Sequence, residues 1–529
     1  MRIDEFLKNG YLVFLNILLL VFLLGTPLLP SIVGMKGSVI TVDDSGGADY
    51  LRIQDAINHA HSGDTIFVYN GTYHENVIVP LPLTIVGERA VSTIIENPGT
   101  IVTILAPDVT LDSFTIRNAS TYGVLLDNTN NVSLQRCIIT NSYSFGVYVI
   151  GCSHCTIQDT SSHHNHRYGF YLRLSHDCEL NRCTTFENNN QYYHDHGFMF
   201  NGVVNVTSID CVSYNNYYGF YLDYSESCTL LRCTAYGNAG YGIHLYDTDT
   251  STMTDCVCHH NAGFGFFLEH ADFCVIQHAI CHHTNIGILL YYATNNTIQN
   301  SETSNNSWAG IEIRDVSNDN TVINCSTHHN REGIMILVSL DNILYHNNMY
   351  SNYENGYDDS FNSWDNAYPN GGNYWSDYHG VDDYSGEEQL VPGSDGIGDT
   401  PYQINGSGSI DRYPFMVSNG WMNQAPATPQ QPQGPLHGCI GFTYTFYTYA
   451  VDPDDDALYY MWDWGDQTIE LLGPNPSGIV FNASHRWNTS GSYSIRVKVQ
   501  DSHGLESAWS EPLVVIIKTM INDHFYIHY

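Results

Sequence analysis

Ten glycines, Gly123, Gly146, Gly169, Gly197, Gly219, Gly242, Gly265, Gly287, Gly310 and Gly333, are each followed by a triplet with apolar outer members: VLL, VYV, FYL, FMF, FYL, IHL, FFL, ILL, IEI and IMI. The intervals between them are 23, 23, 28, 22, 23, 23, 22, 23 and 23 residues, too regular for an ordinary globular domain. Alternation with a period of two predicts short strands whose outer triplet residues share a buried face, while the middle one, His244 or Glu312 for example, faces water. Separated by Asn-, Ser-, Asp- and Gly-rich turns, such strands cannot bury their apolar faces alone. Stacking each coil on its predecessor does so. About three short strands per coil and no amphipathic helix predict an all-β chain built on a right-handed parallel β-helix, with neighbouring strands roughly 4.8 Å apart. Leucine-rich repeats share the period, but their Leu and Asn spacing and their helical outer segment are missing.

Residues at one offset in successive coils stack. Counted from the glycine, position +9 holds Cys155, Cys178, Cys228 and Cys274, and position +14 holds Cys137, Cys183, Cys211, Cys233 and Cys256. Cysteine is small, apolar and often buried, so these are expected as two structural ladders of reduced core thiols. Disulfides between stacked coils are the rival reading; parallel side chains of one ladder point the same way, whereas bridge geometry needs Cβ vectors that approach. Asn165, Asn216, Asn238, Asn261 and Asn306, with Asn330 one place off, are expected to tolerate left-handed turns and pass amide bonds from coil to coil. Histidines come in pairs at +17 and +18: His163 with His164, His259 with His260, and His282 with His283, followed by His328 with His329 one register later. On adjacent coils His259, His260, His282 and His283 would converge, and imidazoles suit copper or zinc. Polar histidines in turns are equally often neither ligands nor bases.

A β-helix end exposes a pairing edge and needs a cap. Ile53, Ala56, Ile57 and Ala60 give an apolar helical face, with Gly63 expected to end the helix. Ala56, Ile57, Ala60, Gly63, Asp64, Thr65, Ile66, Val68, Gly71, Tyr73 and Glu75 resemble the N-terminus of the pectin-lyase-like superfamily. Cap and repeat together span residues 38–350. Residues 351–420 are rich in aromatics, Asp and Gly and are expected to cap the other end. Asn373, Tyr374, Trp375, Ser376, Asp377 and Tyr378, then Asp395, Gly396, Gly398, Asp399, Pro401 and Tyr402, then Asp411, Arg412, Tyr413 and Pro414 resemble the terminal segment of NosD-type β-helix proteins. That resemblance implies copper binding and a part in maturing a copper enzyme. Asp377, Asp382, Asp383, Asp395, Asp399 and Asp411 are spaced to meet a hard cation, which makes calcium a candidate cofactor ahead of copper. Asx turns and solvent exposure explain the same acids without metal.

Residues 421–436 read as a Pro- and Gln-rich linker, extended and exposed. Residues 437–518 alternate as strands of one small sandwich, with a tail at 519–529. Asp452, Pro453, Asp454, Asp456, Trp462, Asp463, Trp464, Gly465 and Asp466, with His485, Trp487, Gly491, Tyr493, Val497, Asp501 and Gly504, resemble a PKD-type immunoglobulin-like module. Its Asp cluster either binds a cation or shapes the turn.

Charge narrows the partners. Eighteen Lys and Arg stand against 55 Asp and Glu, with no Lys between Lys36 and Lys498. A surface this acidic repels nucleic acid. The apolar run Tyr11–Leu29 behind Arg2 and Lys8 makes residues 1–34 a signal peptide or an N-terminal membrane anchor, so the chain is expected outside the cytoplasm. The function expected is that of an exported cell-surface β-helix scaffold for adhesion, meeting surface glycans or other surface proteins. Tyr171, Tyr221, Tyr224, Tyr236 and Tyr241 are candidates for stacking on sugars, although aromatic ladders also fill or cover a solenoid. Copper handling of the NosD kind and polysaccharide cleavage by a lyase or hydrolase are the alternatives. The arginines, such as Arg173, Arg182, Arg232 and Arg314, sit singly in the sequence, and the acids form no catalytic motif.

Overall fold

The computed structural model describes residues 37–188, 195–454, 456–502 and 504–519. Three parallel sheets of fourteen strands each run along the solenoid, every strand pairing with those three before and three after it for most of the length. The first sheet begins at Val39–Val42, the second at Val77–Val79 and the third at Gly71–Tyr73. The single 28-residue interval does not disturb the stacking: Phe170 pairs with Phe198, and Thr184 with Val212. Tyr374–Trp375 joins the third sheet and Asn405–Gly406 the second, so the terminal segment extends the coil as well as covering it.

Outer triplet residues fill the interior, as in Phe170, Phe198 and Phe220, whose rings stack at 5.0 and 4.6 Å. The glycine row is explained by close approach. A Cβ on Gly265 would lie 1.9 Å from Cys281 Sγ and 2.6 Å from the Gly287 carbonyl oxygen in the next coil. The middle triplet residues differ from expectation. His244 and Glu312 are 5% and 1% exposed rather than facing water, because side chains flanking them on the outer face close over that row.

All thirteen cysteines of the solenoid are buried free thiols. Those at the corners between strands donate Sγ–H to the carbonyl two residues back, as from Cys152 to Ile150 at 3.3 Å and from Cys183 to Asn181 at 3.7 Å, whereas Cys258 and Cys281 lie within strands of the third sheet. Thr160, Ser175 and Ser301 make the same bond at equivalent corners. The ladder therefore asks for a small donor, which is why Cys, Ser and Thr interchange there. Asparagines form an amide stack, broken at Thr284: Asn165 Nδ2 donates to Asn188 Oδ1 at 2.9 Å, Asn188 to Asn216, and Asn238 to Asn261, while Thr284 Oγ1 donates to Asn306 Oδ1 at 2.8 Å. Asn330 is in line, accepting from Asn306 at 3.1 Å. The left-handed residue is the one just before each asparagine, such as His164, Asn215 or His260, and not the asparagine itself.

At the N-terminal end the helix Ile53–His59 buries Ile53, Ala56 and Ile57 against the first coils. Its first amides are capped from afar: Ile53 and Gln54 N–H donate to the two oxygens of buried Glu75 at 2.8 and 2.9 Å. The helix stops at Ala60, three residues before Gly63. At the other end buried Trp364 and Trp375 close the core, their indole N–H groups donating to Asp358 and Asp411.

The C-terminal module pairs a five-stranded sheet with a two-stranded one around Tyr460, Trp462, Trp464 and Trp487. The stretch before it is extended but not free. Pro426, Pro429 and Pro432 are buried, and Ala427, Gln430 and Gln433 donate N–H bonds to Val451, Tyr449 and Tyr447 at 2.9, 3.0 and 2.8 Å. A period of three puts every proline on one side, as in a polyproline helix, and the residue after each supplies the bond that proline cannot. Residues 1–34 lie outside the described residues; among those described, no helix is long and apolar enough to cross a membrane.

Candidate functional site: a histidine edge on the third sheet

Strands Val257–His259 and Ile280–His282 pair in parallel with His259 opposite His282, so the first imidazole of each pair points outward from the third sheet. In a straight strand the next residue would point to the other face. Here the chain turns: His260 and His283 have φ of 54° and 55°, a left-handed corner that Asn215, Gly237 and Asn305 occupy in other coils. The corner swings the second imidazole back beside the first. Nδ1 of His259 lies 3.0 Å from Nδ1 of His260, and Nδ1 of His282 lies 2.9 Å from that of His283. Across coils, His259 stacks on His282 at 5.2 Å and His260 on His283 at 4.8 Å. The result is a two-by-two grid in which ring nitrogens of His260, His282 and His283 all lie within 4.8 Å of one another.

Burial, then the neighbouring imidazoles His282, His260 and His283, lowers the His259 pKa to about 4; burial and the same kind of neighbours also lower His282. Both rings therefore keep their lone pairs at neutral pH. An all-imidazole donor set fits copper or zinc and is poor for calcium. The other pairs repeat the geometry with different neighbours. His163 and His164 approach to 2.7 Å, and His328 and His329 to 2.9 Å, while His164 and His328 each place Nε2 by a carboxylate, Glu187 at 2.8 Å and Glu302 at 3.2 Å. Residues His328 and His329 stand in the same row as the grid, separated from it by Ser304.

Five of the six terminal aspartates accept bonds from their own loops through their carboxylates, and Asp383 takes part through its backbone. Asp377 receives Asn355 and Tyr402; Asp382 receives the Asp395 and Gly396 amides; Asp395 receives the Ile397 and Gly386 amides. Asp399 receives the amides of Asp383 and Tyr384. Asp411 is wholly buried and accepts from Asn373 N, Trp375 Nε1 and Tyr413 N; burial, outweighing these bonds, pushes its pKa up to about 7. Among the described residues no three of these carboxylates converge within 4.8 Å.

The candidate tyrosines sit in ladders. Tyr171 stacks on Tyr148, Tyr221 on His244, Tyr241 between Tyr218 and Phe264, and Tyr236 between Tyr214 and His259, so their faces lie against protein rings. Tyr224 is 61% exposed, with an edge contact to Tyr246.

A second cluster lies on the outer face of the second sheet, where the sequence had suggested isolated charges. Glu312 accepts from Trp308 Nε1 at 3.1 Å and from Arg314 at 3.2 Å, and Arg331 lies 4.4 Å over the Trp308 ring. Glu332, opposite Glu354 in the next coil, is 5% exposed and its Oε2 has no partner. Burial and then Glu354 raise its pKa to about 7. The signal was present in the repeat: Glu332 occupies the place before the glycine that carries Tyr168, Tyr218 and Tyr241 in earlier coils, and Glu354 follows 22 residues later.

With this geometry in view, three family models match. The model described as periplasmic copper-binding protein (NosD) covers residues 187–380, the right handed beta helix region covers 100–250, and the PKD domain covers 435–514. The chain carries a NosD-type right-handed β-helix and a PKD domain. The NosD match contains the whole histidine grid and ends inside the terminal segment. No curated protein sequence matches. Among solved structures, the PKD domain of an M14-like peptidase from a Thermoplasmatales archaeon is 35% identical, over 18% of this chain and 100% of that one, with a TM-score of 0.18. The A-module of Azotobacter vinelandii mannuronan C-5 epimerase AlgE6 is 16% identical over 59% of this chain and 93% of that one, TM-score 0.42. Tailspike protein 3 of bacteriophage CBA120 is 11% identical over 61% and 56%, TM-score 0.44.

Proposed function

We propose that this chain is an exported β-helix scaffold that binds copper at His259, His260, His282 and His283, with the PKD domain as an appended extracytoplasmic module. One observation carries the reading: two left-handed corners, one coil apart, gather four imidazoles on one edge. The NosD match over the same residues supports it, and that family's periplasmic description supports export. Copper bound there would be held by nitrogen alone, and the rigid strands would fix the ligands before the metal arrives, reducing the ordering cost of binding. The test is copper titration of purified chain with electron paramagnetic resonance of the Cu(II) form. Nitrogen-coupled copper retained by the native chain and lost in a His282→Ala/His283→Ala variant is expected. Equal retention in both removes the reading.

A second reading, polysaccharide cleavage, is favoured by the Glu312, Arg314, Glu332 and Glu354 cluster. Glu332, with its pKa raised to about 7, holds a proton near neutrality and is suited to donate it to a leaving glycosidic oxygen. Reducing-end release from acidic and neutral polysaccharides, abolished by Glu332→Gln, tests it; no release from any of them ends it. Glycan adhesion rests on Tyr224, and a glycan array with Tyr224→Ala measures it directly.

A further inference from the structure

At the C-terminal end of the third sheet lies a pocket of about 450 Å³ that uses none of the four grid imidazoles. Two rows make its floor. One is the left-handed corner that leads into the third sheet, His278, Asn300 and Asn324, with φ of 51°, 51° and 54°. The other is the outward residue opening each strand, Ile280, Glu302, Ser326 and Asn348, paired in that order from coil to coil. Ser418 and Asn419 form a wall, pinned to buried Asn348. Ser418 Oγ and Asn419 N–H donate to Asn348 Oδ1 at 2.8 and 2.9 Å, and Asn348 Nδ2 donates to Asn419 Oδ1 at 2.7 Å. A floor of paired strands and a bonded wall lower the ordering cost of filling the pocket.

The corner changes chemistry at this end. In earlier coils it is a ladder of closed ion pairs: Arg182 holds Asp159 with two bonds at 2.7 and 2.9 Å, Arg232 holds Asp210 likewise, and His278 Nδ1 lies 3.6 Å from Asp255. At Asn300 and Asn324 the charges stop. Among the described residues, neither of these amide side chains nor the Ser326 hydroxyl bonds to another protein group. Tyr350 ends the ring ladder of the third sheet, with one face stacked on His328 at 4.7 Å and no described ring on the other. Glu302 is the pocket's carboxylate. Its Oε1 lies 3.2 Å from His328 Nε2, a contact that holds its pKa below the usual carboxylate range, and no described Lys or Arg lines the pocket.

A ligand matching these groups offers hydroxyls to the amides and Ser326, a C–H face to the Tyr350 ring and positive charge to Glu302. Anions are repelled, by Glu302 and by a chain with 55 acids against 18 bases. An aminated pyranose carries all three features. We propose that this pocket binds a glycan through an amino sugar, with the ammonium on Glu302 and the hydroxyls on Asn300, Asn324 and Ser326. It is separate from Tyr224, which follows the strand Tyr218–Asp223 of the second sheet, and it does not rest on copper at the histidine edge.

The experiment is calorimetric titration of the chelator-treated full chain at about pH 6, where Glu302 stays ionised, with three probes: a glucosamine trimer, its N-acetylated counterpart and a galacturonate trimer. Saturable binding of the glucosamine trimer is expected, about tenfold or more tighter than that of the acetylated trimer, with no binding of the acid. The double variant Asn300→Gly/Asn324→Gly removes both amides and keeps the left-handed corners, and it should weaken binding about tenfold or more. Glu302→Gln should abolish the preference for the amine. Tyr224→Ala should leave the affinity unchanged. No heat with the glucosamine trimer, or native affinity in both the glycine pair and Glu302→Gln, overturns the site. Equal binding of the free and acetylated trimers overturns the role given to charge. Chelator keeps metal off the histidine edge, so this result and the copper result fail or survive independently.

Discussion

The outer faces of the second and third sheets carry ring ladders built at the same pitch, yet they end in different chemistry. On the second sheet Phe145, Tyr168, His196, Tyr218 and Tyr241 stack at 4.7 to 5.1 Å, and a second row through Tyr148, Tyr171, Tyr221, His244 and Phe267 meets them edge-on at 5.0 to 5.8 Å. Two rows three residues apart, one on each side of the glycine, wall each other in, and even His244 is buried. On the third sheet His163, Phe186, Tyr214, Tyr236, His259 and His282 stack at 4.4 to 5.2 Å, but the row beside them comes from left-handed corners. That row stands in solvent with its nitrogens turned to the first. Stacking supplies copies in both cases. Corner geometry decides whether the copies become packing or ligands.

The largest effect expected from breaking this contrast is on the second sheet. Phe267 stacks on His244 at 4.5 Å and meets Tyr241 and Phe264 edge-on, so Phe267→Ala should cost about 3–5 kcal/mol. In a solenoid that loss is local, and hydrogen exchange should show lost protection in Phe266–Glu269 and its neighbouring strands before the distant coils.

His244 comes next. Its Nε2 lies 3.1 Å from Glu269 Oε2, its Nδ1 is buried without a partner, and Tyr218, Tyr221 and Tyr241 surround it. Burial lowers its pKa, outweighing the opposing pull of Glu269. A depressed histidine pKa means that the unfolded chain takes up the proton first. Its contribution to stability is full above the ordinary value of about 6.5 and lost as pH falls through the lower folded value. Denaturant midpoints should therefore drop on acidification, and His244→Phe, which keeps the stack, should flatten that drop.

How much of this was legible follows from what repeats. Glycine spacing and triplet alternation carry the solenoid, because each coil obeys the same local rule and a single-residue slip would turn every side chain over. The PKD domain was readable from its Trp and Asp pattern. The burial of Glu312 was not, because alternation assigns a residue to a face and cannot say what else covers that face. The extended stretch before the sandwich also hid its contacts: a spacing of three between Pro426, Pro429 and Pro432 was visible, but the groove receiving it comes from distant residues. For the histidines, pairing and register were legible; the turn that joins Nδ1 to Nδ1 was not, since spacing says which residues stack and does not give the backbone angle at the corner, although His is among the residues enriched at positive φ and His154, His164, His270 and His329 also adopt it here.

Replacing both His282 and His283 by alanine sharpens the comparison from the other side. These rings are partly or fully exposed, so a stability change within about 1 kcal/mol is expected. Copper affinity should fall by more than the roughly 10- to 100-fold that loss of an outer-shell partner costs. Chemical denaturation and copper competition on one preparation would separate the two quantities. A stability loss as large as that of Phe267→Ala would mean that the third-sheet ladder is packing too.

The smallest effect on folding is the most discriminating. His283→Asn puts at the left-handed corner the residue that the protein itself uses at Asn215 and Asn305, so the backbone at φ 55° is at least as comfortable. Stability should stay within about 0.5 kcal/mol of native or rise slightly. One imidazole is nevertheless removed from the grid, and with it the Nδ1 that lies 2.9 Å from His282. If histidine stands at this corner for its nitrogen, the Asn variant folds as well as the native chain and binds copper more weakly, whereas the same change at the outlying His329 leaves the grid's affinity unchanged. If the corner histidines only stack, through the 4.8 Å contact of His260 with His283, the variant instead loses stability and keeps its copper. The two accounts predict opposite pairs of outcomes from one substitution.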